Sequence, residues 1–347
     1  MPLLLDIARS GSAAAVELHS TAGINIGLVN NMPAAAFAAT ERQFVELLHT
    51  ATKNAVVCLK LFSIADVPRA DPVCRDLAGR YRDLSELWDT RLDGLIVTGT
   101  EPRAASLKNE PYWAKLTELV DWGRENTAST IWSCLAAHAA VLHADGIERR
   151  VLADKQFGVF DCDVVAPHAM TRSLGPRLRV PHSRCNDLPA PALAACGYRL
   201  LTRTDAAAVD MFIKAQPRFL SLFVFLQGHP EYQAGTLLRE YRRDVARFLS
   251  GEREHYPAAP QRYFNDAAAA LAAAFRARVI GDRRGGRLAD FPMGVLEAGL
   301  ECTWRRSAIA IYENWLDYLK ERKAEQRLPT IPSQRTRRGA WPRRMPA

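Results

Sequence analysis

The stretch Ser129-Thr-Ile-Trp-Ser-Cys134-Leu-Ala-Ala-His138-Ala-Ala-Val-Leu-His143 decides the fold. Thr130 to Ser133 is apolar and β-branched enough for a buried strand, whereas Leu135 to Leu142 is Ala-rich with apolar spacing suited to a helix. Cys134 falls at the join. On a tight strand-to-helix turn its side chain would sit beside the free N–H groups of the helix start, which favour a thiolate and hold a developing oxyanion. A nucleophile elbow is built this way around Ser in many hydrolases. The competing reading is a small apolar Cys packed at a strand end.

A second stretch favours the nucleophile. Phe219-Leu-Ser-Leu-Phe-Val-Phe225 reads as a strongly apolar strand running into Leu226-Gln-Gly-His229-Pro-Glu231-Tyr232. A nucleophilic Cys needs a base for its proton, and the base needs a carboxylate to fix its orientation. Cys134, His229 and Glu231 supply those roles in that order, and both the Cys and the His follow apolar strands. The carboxyl ends of strands are where sites form in open α/β sheets.

Outward from these stretches the pattern alternates. Ile24 to Asn30 reads as a strand, followed by a turn at Asn31-Met-Pro33 and a helix capped by Thr40 with Gln43 completing a capping box. Ala55 to Phe62 and Asp93 to Gly99 are further strands, with a short helix near Leu84 to Trp88 between them. A helix from Glu110-Pro-Tyr-Trp113 to Glu125 leads into the Cys134 strand. This alternation implies an α/β fold with a doubly wound, mostly parallel sheet flanked by helices. Beyond Gly146 the strands shorten: Phe157 to Val165, Tyr198 to Thr202, Met211 to Lys214 and Phe219 to Phe225. Helices follow at Thr236 to Leu249, at Ala267 to Phe275 behind Asp266, and at Ser307 to Lys323, the last two forming a C-terminal helical extension.

Composition bounds the rest. With 347 residues, 48% of them hydrophobic, the chain can bury a full core. It holds no apolar run of membrane-spanning length, and its start lacks a basic leader, so a cytoplasmic protein without membrane contact is expected. The seven cysteines, at 58, 74, 134, 162, 185, 196 and 302, form no CxxC pair and no metal-ligand spacing, as in a reducing compartment. The net charge of +8 is concentrated by Arg335, Arg337, Arg338, Arg343 and Arg344 in the last residues. That tail reads as disordered, and without it the body lies near neutrality, so no nucleic-acid partner is expected. The chain therefore divides into an N-terminal extension (1–22), one catalytic domain (23–325) and a basic tail (326–347).

Taken together, these residues resemble the homoserine O-succinyltransferase family of homoserine O-acyltransferases from about Ile24 to about Lys320. The carriers are Asn31-Met-Pro33, Thr40-Glu-Arg-Gln43, Asp93-Gly-Leu-Ile-Val-Thr-Gly99, Tyr112-Trp113, Cys134, Lys155-Gln-Phe-Gly-Val-Phe160, Pro181-His-Ser-Arg184, Gly228-His-Pro-Glu-Tyr232, Arg243-Asp244, Trp304-Arg305 and Asn314-Trp-Leu316. The resemblance implies a class I glutamine-amidotransferase-like (flavodoxin-like) fold. It implies Cys134 as acyl-accepting nucleophile, His229 as base and Glu231 as the carboxylate behind it. It also implies Lys155, Ser183 and Arg243 as substrate-binding residues, with Arg243 gripping a substrate carboxylate. Arg103 falls at the family position that tunes acyl-CoA choice, where a cation would pair with a succinyl carboxylate.

The chain departs from the family pattern in two places. Ala34-Ala-Ala-Phe37 stands where a Lys usually follows Met-Pro, and Leu135-Ala-Ala-His138 replaces Trp-Gly-Ala-Gln after the Cys. The first departure leaves the oxyanion to backbone N–H groups, that of Leu135 included.

The expected reaction is ping-pong succinyl transfer from succinyl-CoA to the hydroxyl of L-homoserine through a Cys134 thioester, a step of methionine biosynthesis. No metal or bound cofactor is expected, and the partners are the two small-molecule substrates, with a homodimer in keeping with the resemblance. The alternatives are acetyl-CoA as donor, L-serine as acceptor, a glutamine-amidotransferase-like hydrolase, or a non-enzymatic binding protein on the same scaffold.

Overall fold

The computed structural model describes residues 3–6, 23–53, 56–69, 79–205, 208–216, 221–283 and 287–327. The N-terminal half builds the parallel core: β1 (Leu3–Asp6), β2 (Ile24–Val29), α1 (Ala34–Ala51), β3 (Val57–Ser63), β4 (Arg82–Asp83), α2 (Leu84–Leu87), β5 (Gly94–Val97), α3 (Trp113–Asn126), β6 (Ser129–Ser133) and α4 (Leu135–Asp145). The second half contributes β7 (Arg150–Val164), β8 (Arg177–Asp187), α5 (Ala190–Ala195), β9 (Arg199–Leu200), β10 (Thr202–Thr204), β11 (Met211–Gln216) and β12 (Ser221–Leu226). It closes with α6 (Thr236–Ser250), α7 (Asp266–Gly281), α8 (Met293–Ala298) and α9 (Arg305–Arg327).

The main sheet runs β1-β3-β2-β5-β6-β12-β11-β9, with β4 beside β3. Pairing is parallel from β1 through β12 and antiparallel at β11 and β9. The order β3-β2-β5-β6-β12 is that of a doubly wound sheet, with helices on both faces. Alternating side chains make two cores. Ile26, Leu28, Ile96, Ile131 and Val224 face α1, α6 and α9, whereas Leu95, Val97, Trp132, Phe223 and Phe225 face α3 and α4. A separate three-stranded antiparallel sheet, β10-β7-β8, sits beyond β6 in the sequence. Among the described residues no helix is long and apolar enough to cross a membrane.

Several expectations change. Thr40 and Gln43 do not cap a helix: α1 starts at Ala34 behind an extended Pro33, and both polar residues are buried inside it. The Ala34-Ala-Ala run has the helix propensity to begin early, and Gln43 Nε2 donates instead to Thr236 Oγ1 at 2.8 Å. The 1–22 segment is not wholly outside the domain, because Leu3–Asp6 pairs in parallel with Val57–Lys60 as the sheet's edge strand. Tyr198 to Thr202 splits into two short strands that join different sheets. Asn265 rather than Asp266 caps α7, accepting from Ala268 N–H at 2.9 Å. The Arg-rich tail and Cys74 lie outside the described residues, and the described cysteines are free.

The register of two neighbouring strands positions the candidate site. In the parallel β6–β12 pair Ser133 lies opposite Leu226, so the two strands end flush. Cys134 and Gln227 therefore leave the sheet side by side, with His229 just beyond.

Candidate active site

Cys134 stands at φ 51°, ψ −112°, the N-cap of α4. A left-handed φ on a non-glycine residue costs about 1–3 kcal/mol, and such strain collects at functional turns. Here it is held from two sides. The Cys134 N–H donates to Leu226 O at 2.7 Å, and Cys134 O accepts from Ala137 and His138 N–H at 3.0 and 3.3 Å. The result is the elbow expected from the sequence, with a half-buried thiol at its apex.

The N–H groups of Leu135 and Ala136 precede the first hydrogen bonds of α4 and so belong to the helix's unpaired first turn. Gly99, just past β5, lies against this turn. A Cβ at Gly99 would stand 2.7 Å from Leu135 Cβ and 2.9 Å from Leu135 N. Only a glycine lets the β5 loop and the helix start approach this closely, leaving a narrow floor of backbone donors beside the thiol.

His229 is buried, and its N–H donates to Pro181 O at 2.8 Å, tying the turn after β12 to β8. Nδ1 is 2.8 Å from Glu231 Oε1, which fixes the ring's orientation, and Cys134 is near enough to act on the ring's charge. Burial works against a charged imidazole, yet the negative charges of Cys134 and Glu231 outweigh it and hold the His229 pKa well above its ordinary value. Tyr232 stacks on the His229 ring, centroids 4.3 Å apart and planes 15° from parallel.

Beside this trio the substrate-binding candidates converge on α6. Glu240, Arg243, Asp244 and Arg247 fall at i, i+3, i+4 and i+7 and so share one helix face. Ser183 Oγ, on β8, donates to Glu240 Oε2, and Tyr232 OH donates to Glu240 Oε1 at 2.7 Å. Lys155 Nζ, on β7, reaches Asp244 Oδ2 at 3.1 Å and lies 4.0 Å from the Phe157 ring centre. Arg243 Nε and Nη2 donate to Asp244 Oδ1 at 3.2 and 3.1 Å. Burial raises the Asp244 carboxyl, but Lys155 and Arg243 pull it below the ordinary range, so a fixed anion organises two cations. Lys155, Ser183 and Arg243 are thus brought together, joined by Glu240, Tyr232 and Asp244, which the sequence reading had not assigned. The i, i+3, i+4, i+7 charge spacing on α6 is the signal that points to Glu240 and Asp244.

Arg103 lies apart from that cluster. Its guanidinium is exposed, while its N–H and that of Ala104 donate to Glu110 Oε1 at 2.5 and 2.6 Å, clamping the loop after β5. The neighbouring Glu101 accepts from Arg247 at 3.3 Å. Arg69 packs against the Ala34–Phe37 segment, where the resemblance leads one to expect a Lys. Its donors are directed at Asn30, Met32 and Ile64 carbonyls at 3.0 to 3.1 Å, and its guanidinium lies 5.1 Å from the Phe37 ring centre.

A strand-end Cys on a strained elbow, a His–carboxylate pair and a neighbouring charged face together form an acyl-transfer geometry. Comparison with known proteins agrees with it. The family model for homoserine O-succinyltransferase matches residues 10–325. The chain belongs to the homoserine O-succinyltransferase family. The homoserine O-succinyltransferase of Rhodopseudomonas palustris is 49% identical over 293 residues, covering 84% of this chain and 87% of that one. That of Bradyrhizobium japonicum is 45% identical, covering 86% and 90%. That of Methylorubrum extorquens is 41% identical, covering 90% and 95%. Among solved structures, a glutamine amidotransferase from Methylobacillus flagellatus aligns with TM-score 0.49 at 17% identity, covering 86% of this chain and 95% of that one.

Proposed function

We propose that the chain transfers a succinyl group from succinyl-CoA to the hydroxyl of L-homoserine through a thioester on Cys134, a step of methionine biosynthesis. Family membership supports the substrates, and the Cys134–His229–Glu231 geometry is the observation that carries the mechanism.

The Cys134 thiolate attacks the thioester carbonyl, and the oxyanion is held by the N–H groups at the start of α4, that of Leu135 foremost. Collapse breaks the bond to CoA, whose sulfur leaves with the proton that His229 carries. Acylation also consumes the thiolate, one of the two charges that hold the imidazolium charged. With that charge gone, burial favours the neutral ring, and His229 becomes a base when the acceptor hydroxyl arrives. Its Nδ1 stays on Glu231, leaving Nε2 to take the hydroxyl proton while the oxygen attacks the succinyl carbonyl. Cys134 then leaves as thiolate and recovers its imidazolium partner. The chemistry calls on the substrates and these side chains alone.

A zwitterionic acceptor needs one cation and one anion. Arg243, engaged with Asp244 along one edge of its guanidinium, offers its exposed remainder to the carboxylate. Glu240, held by Ser183 and Tyr232, suits the ammonium group, and Lys155 sets Asp244 behind Arg243. Arg103, on the clamped loop after Gly99, is assigned to the succinyl carboxylate.

The test is CoA release by purified protein with L-homoserine, given succinyl-CoA or acetyl-CoA separately. Acceptor-dependent release with succinyl-CoA, absent in Cys134→Ala, supports the proposal. Ammonia release from glutamine in its place would move the reading to a hydrolase.

A further inference from the structure

Beneath the Cys134–His229 pair lies a buried hydrogen-bond network that acyl transfer leaves unused. Its centre is Gln227, which is 0% exposed. Gln227 Nε2 donates to Val209 O at 2.7 Å and to Asp187 Oδ1 at 3.2 Å. Burial raises the Asp187 carboxyl, but Arg184 outweighs it and holds the group below the ordinary range, so both partners only accept. The amide orientation follows, and Gln227 Oε1 is left to accept from Arg184 Nη1 at 3.1 Å and His138 Nε2 at 2.9 Å. His138 therefore carries its proton on Nε2, and burial, which pushes its pKa down to about 4, keeps it neutral.

This amide joins the two elements that must meet. His138 lies one turn into α4, and its N–H donates to Cys134 O at 3.3 Å. Gln227 follows Leu226, whose carbonyl takes the Cys134 N–H, and precedes the Gly228-His229 turn. The nucleophile is thus connected to Gln227 by two routes, one along β12 and one through the helix.

We propose that Gln227 is a positioning residue that sets the approach of Cys134 to His229, holding the nucleophile's helix through His138 and the base's turn through the end of β12. A hydrogen-bonded join is directional where an apolar contact would slide, and displacements of about 1 Å cost on the order of a hundredfold in rate. The adjacent Cys162, His182 and Asp210, whose ligating atoms lie within 4.8 Å of one another, serve the same turn rather than a metal. Arg184 Nε donates to His182 Nδ1 at 3.2 Å, so the neutral ring bears its proton on Nε2, which lies 3.3 Å from Asp210 Oδ1 without a hydrogen bond to it and has no lone pair for an ion. That pair packs under Gly228, where a Cβ would stand 2.9 Å from His182 Nε2 and 2.8 Å from Asp210 Oδ1.

The inference rests on Cys134 and His229 being the reacting pair, so Cys134→Ala is measured alongside. Wild-type turnover by Cys134→Ala would overturn that pairing itself. With Cys134→Ala inactive, the comparison is His138→Leu against His138→Gln, which keeps an N–H donor at similar reach. In His138→Leu, kcat is expected to fall on the order of a hundredfold with KM for L-homoserine nearly unchanged. The pH profile of Cys134 alkylation by iodoacetamide shifts with it, and His138→Gln restores most of both. A folded His138→Leu with wild-type kcat and alkylation profile overturns the proposal, as does equal impairment of the two variants or a loss confined to KM. If the leucine variant does not fold, the isosteric Gln227→Glu is read by the same measurements, with the same loss of kcat expected and an unchanged kcat overturning the proposal.

Discussion

Tyr232 touches His229 with its ring face and Glu240 with its hydroxyl: the stacked centroids are 4.3 Å apart, and the O–H donates to Glu240 Oε1 at 2.7 Å. One side chain thereby joins the base to the carboxylate assigned to the acceptor's ammonium group. Tyr232→Phe keeps the stacking and removes the hydrogen bond. Bonds to charged groups contribute about 1.5–3 kcal/mol, so KM for L-homoserine should rise at least tenfold while the acylation half-reaction with succinyl-CoA alone keeps its rate. Steady-state kinetics beside a single-turnover CoA burst separates the two, and a slowed burst would place Tyr232 with the base instead.

The pH dependence follows from His229. Burial lowers its pKa, Cys134 and Glu231 raise it, and the net direction is well above the ordinary value. Its proton is therefore present at neutral pH and is lost only as pH climbs through the raised value, so kcat/KM for succinyl-CoA should fall on the alkaline side. Glu231→Gln removes one of the raising charges and leaves burial in place. The alkaline limb then moves to lower pH, by about one to three units for a charge at this separation. A limb that stays put in the variant would assign it to a different group.

Gly99→Ala tests the oxyanion floor. The new methyl would meet the Leu135 backbone, its N at 2.9 Å and Cα at 3.2 Å, where no rotamer change relieves the contact. The start of α4 must shift, carrying the Leu135 N–H with it. Loss of one such donor costs on the order of 10²–10³ in kcat, and kcat for CoA release is the quantity to measure. An active Gly99→Ala would move the oxyanion site away from Leu135.

Acid stability reports on His138. Its pKa of about 4 lies below the ordinary value because burial disfavours the charged ring. Between the two values the unfolded chain binds a proton that the folded one does not, so stability rises with pH through this window and falls on acidification. The change reaches about 3 kcal/mol, and His138→Gln should remove it. Urea melts at pH 7 and pH 4.5 check this, since a variant with the wild-type pH slope would place the acid sensitivity elsewhere.

Sequence reading reached the elbow because Ser129 to His143 changes period within one short stretch, and the His229 strand because it is uniformly apolar. It missed β8 for the opposite reason. Arg177, Arg179, Pro181 and Arg184 break any β pattern, although half of that strand is buried against β7 and carries the Pro181 carbonyl that holds His229. The start of α1 was misplaced because Pro33 offers no side-chain cap and Thr40 mimics one. Glu240 and Asp244 were overlooked because charged residues on an amphipathic helix ordinarily face water, and only the neighbouring β7, β8 and Tyr232 turn this face inward. Chemistry set by strand ends was legible, whereas chemistry set by contacts between distant segments was not.

Helix α9, the last among the described residues, has a consequence for how the enzyme is made. Trp304, just ahead of α9, donates its Nε1–H to Tyr232 O at 2.8 Å, and Trp315 within it donates to Ser129 Oγ at 3.0 Å. Leu319 and Trp315 also fill the space that Gly94 leaves open. Both the turn that bears the base and the strand that bears the nucleophile are thus fastened by residues 72 and 186 positions further along the chain. When Cys134 leaves the ribosome neither His229 nor these tryptophans have been made, so the nucleophile waits, outside any formed site, for segments far downstream.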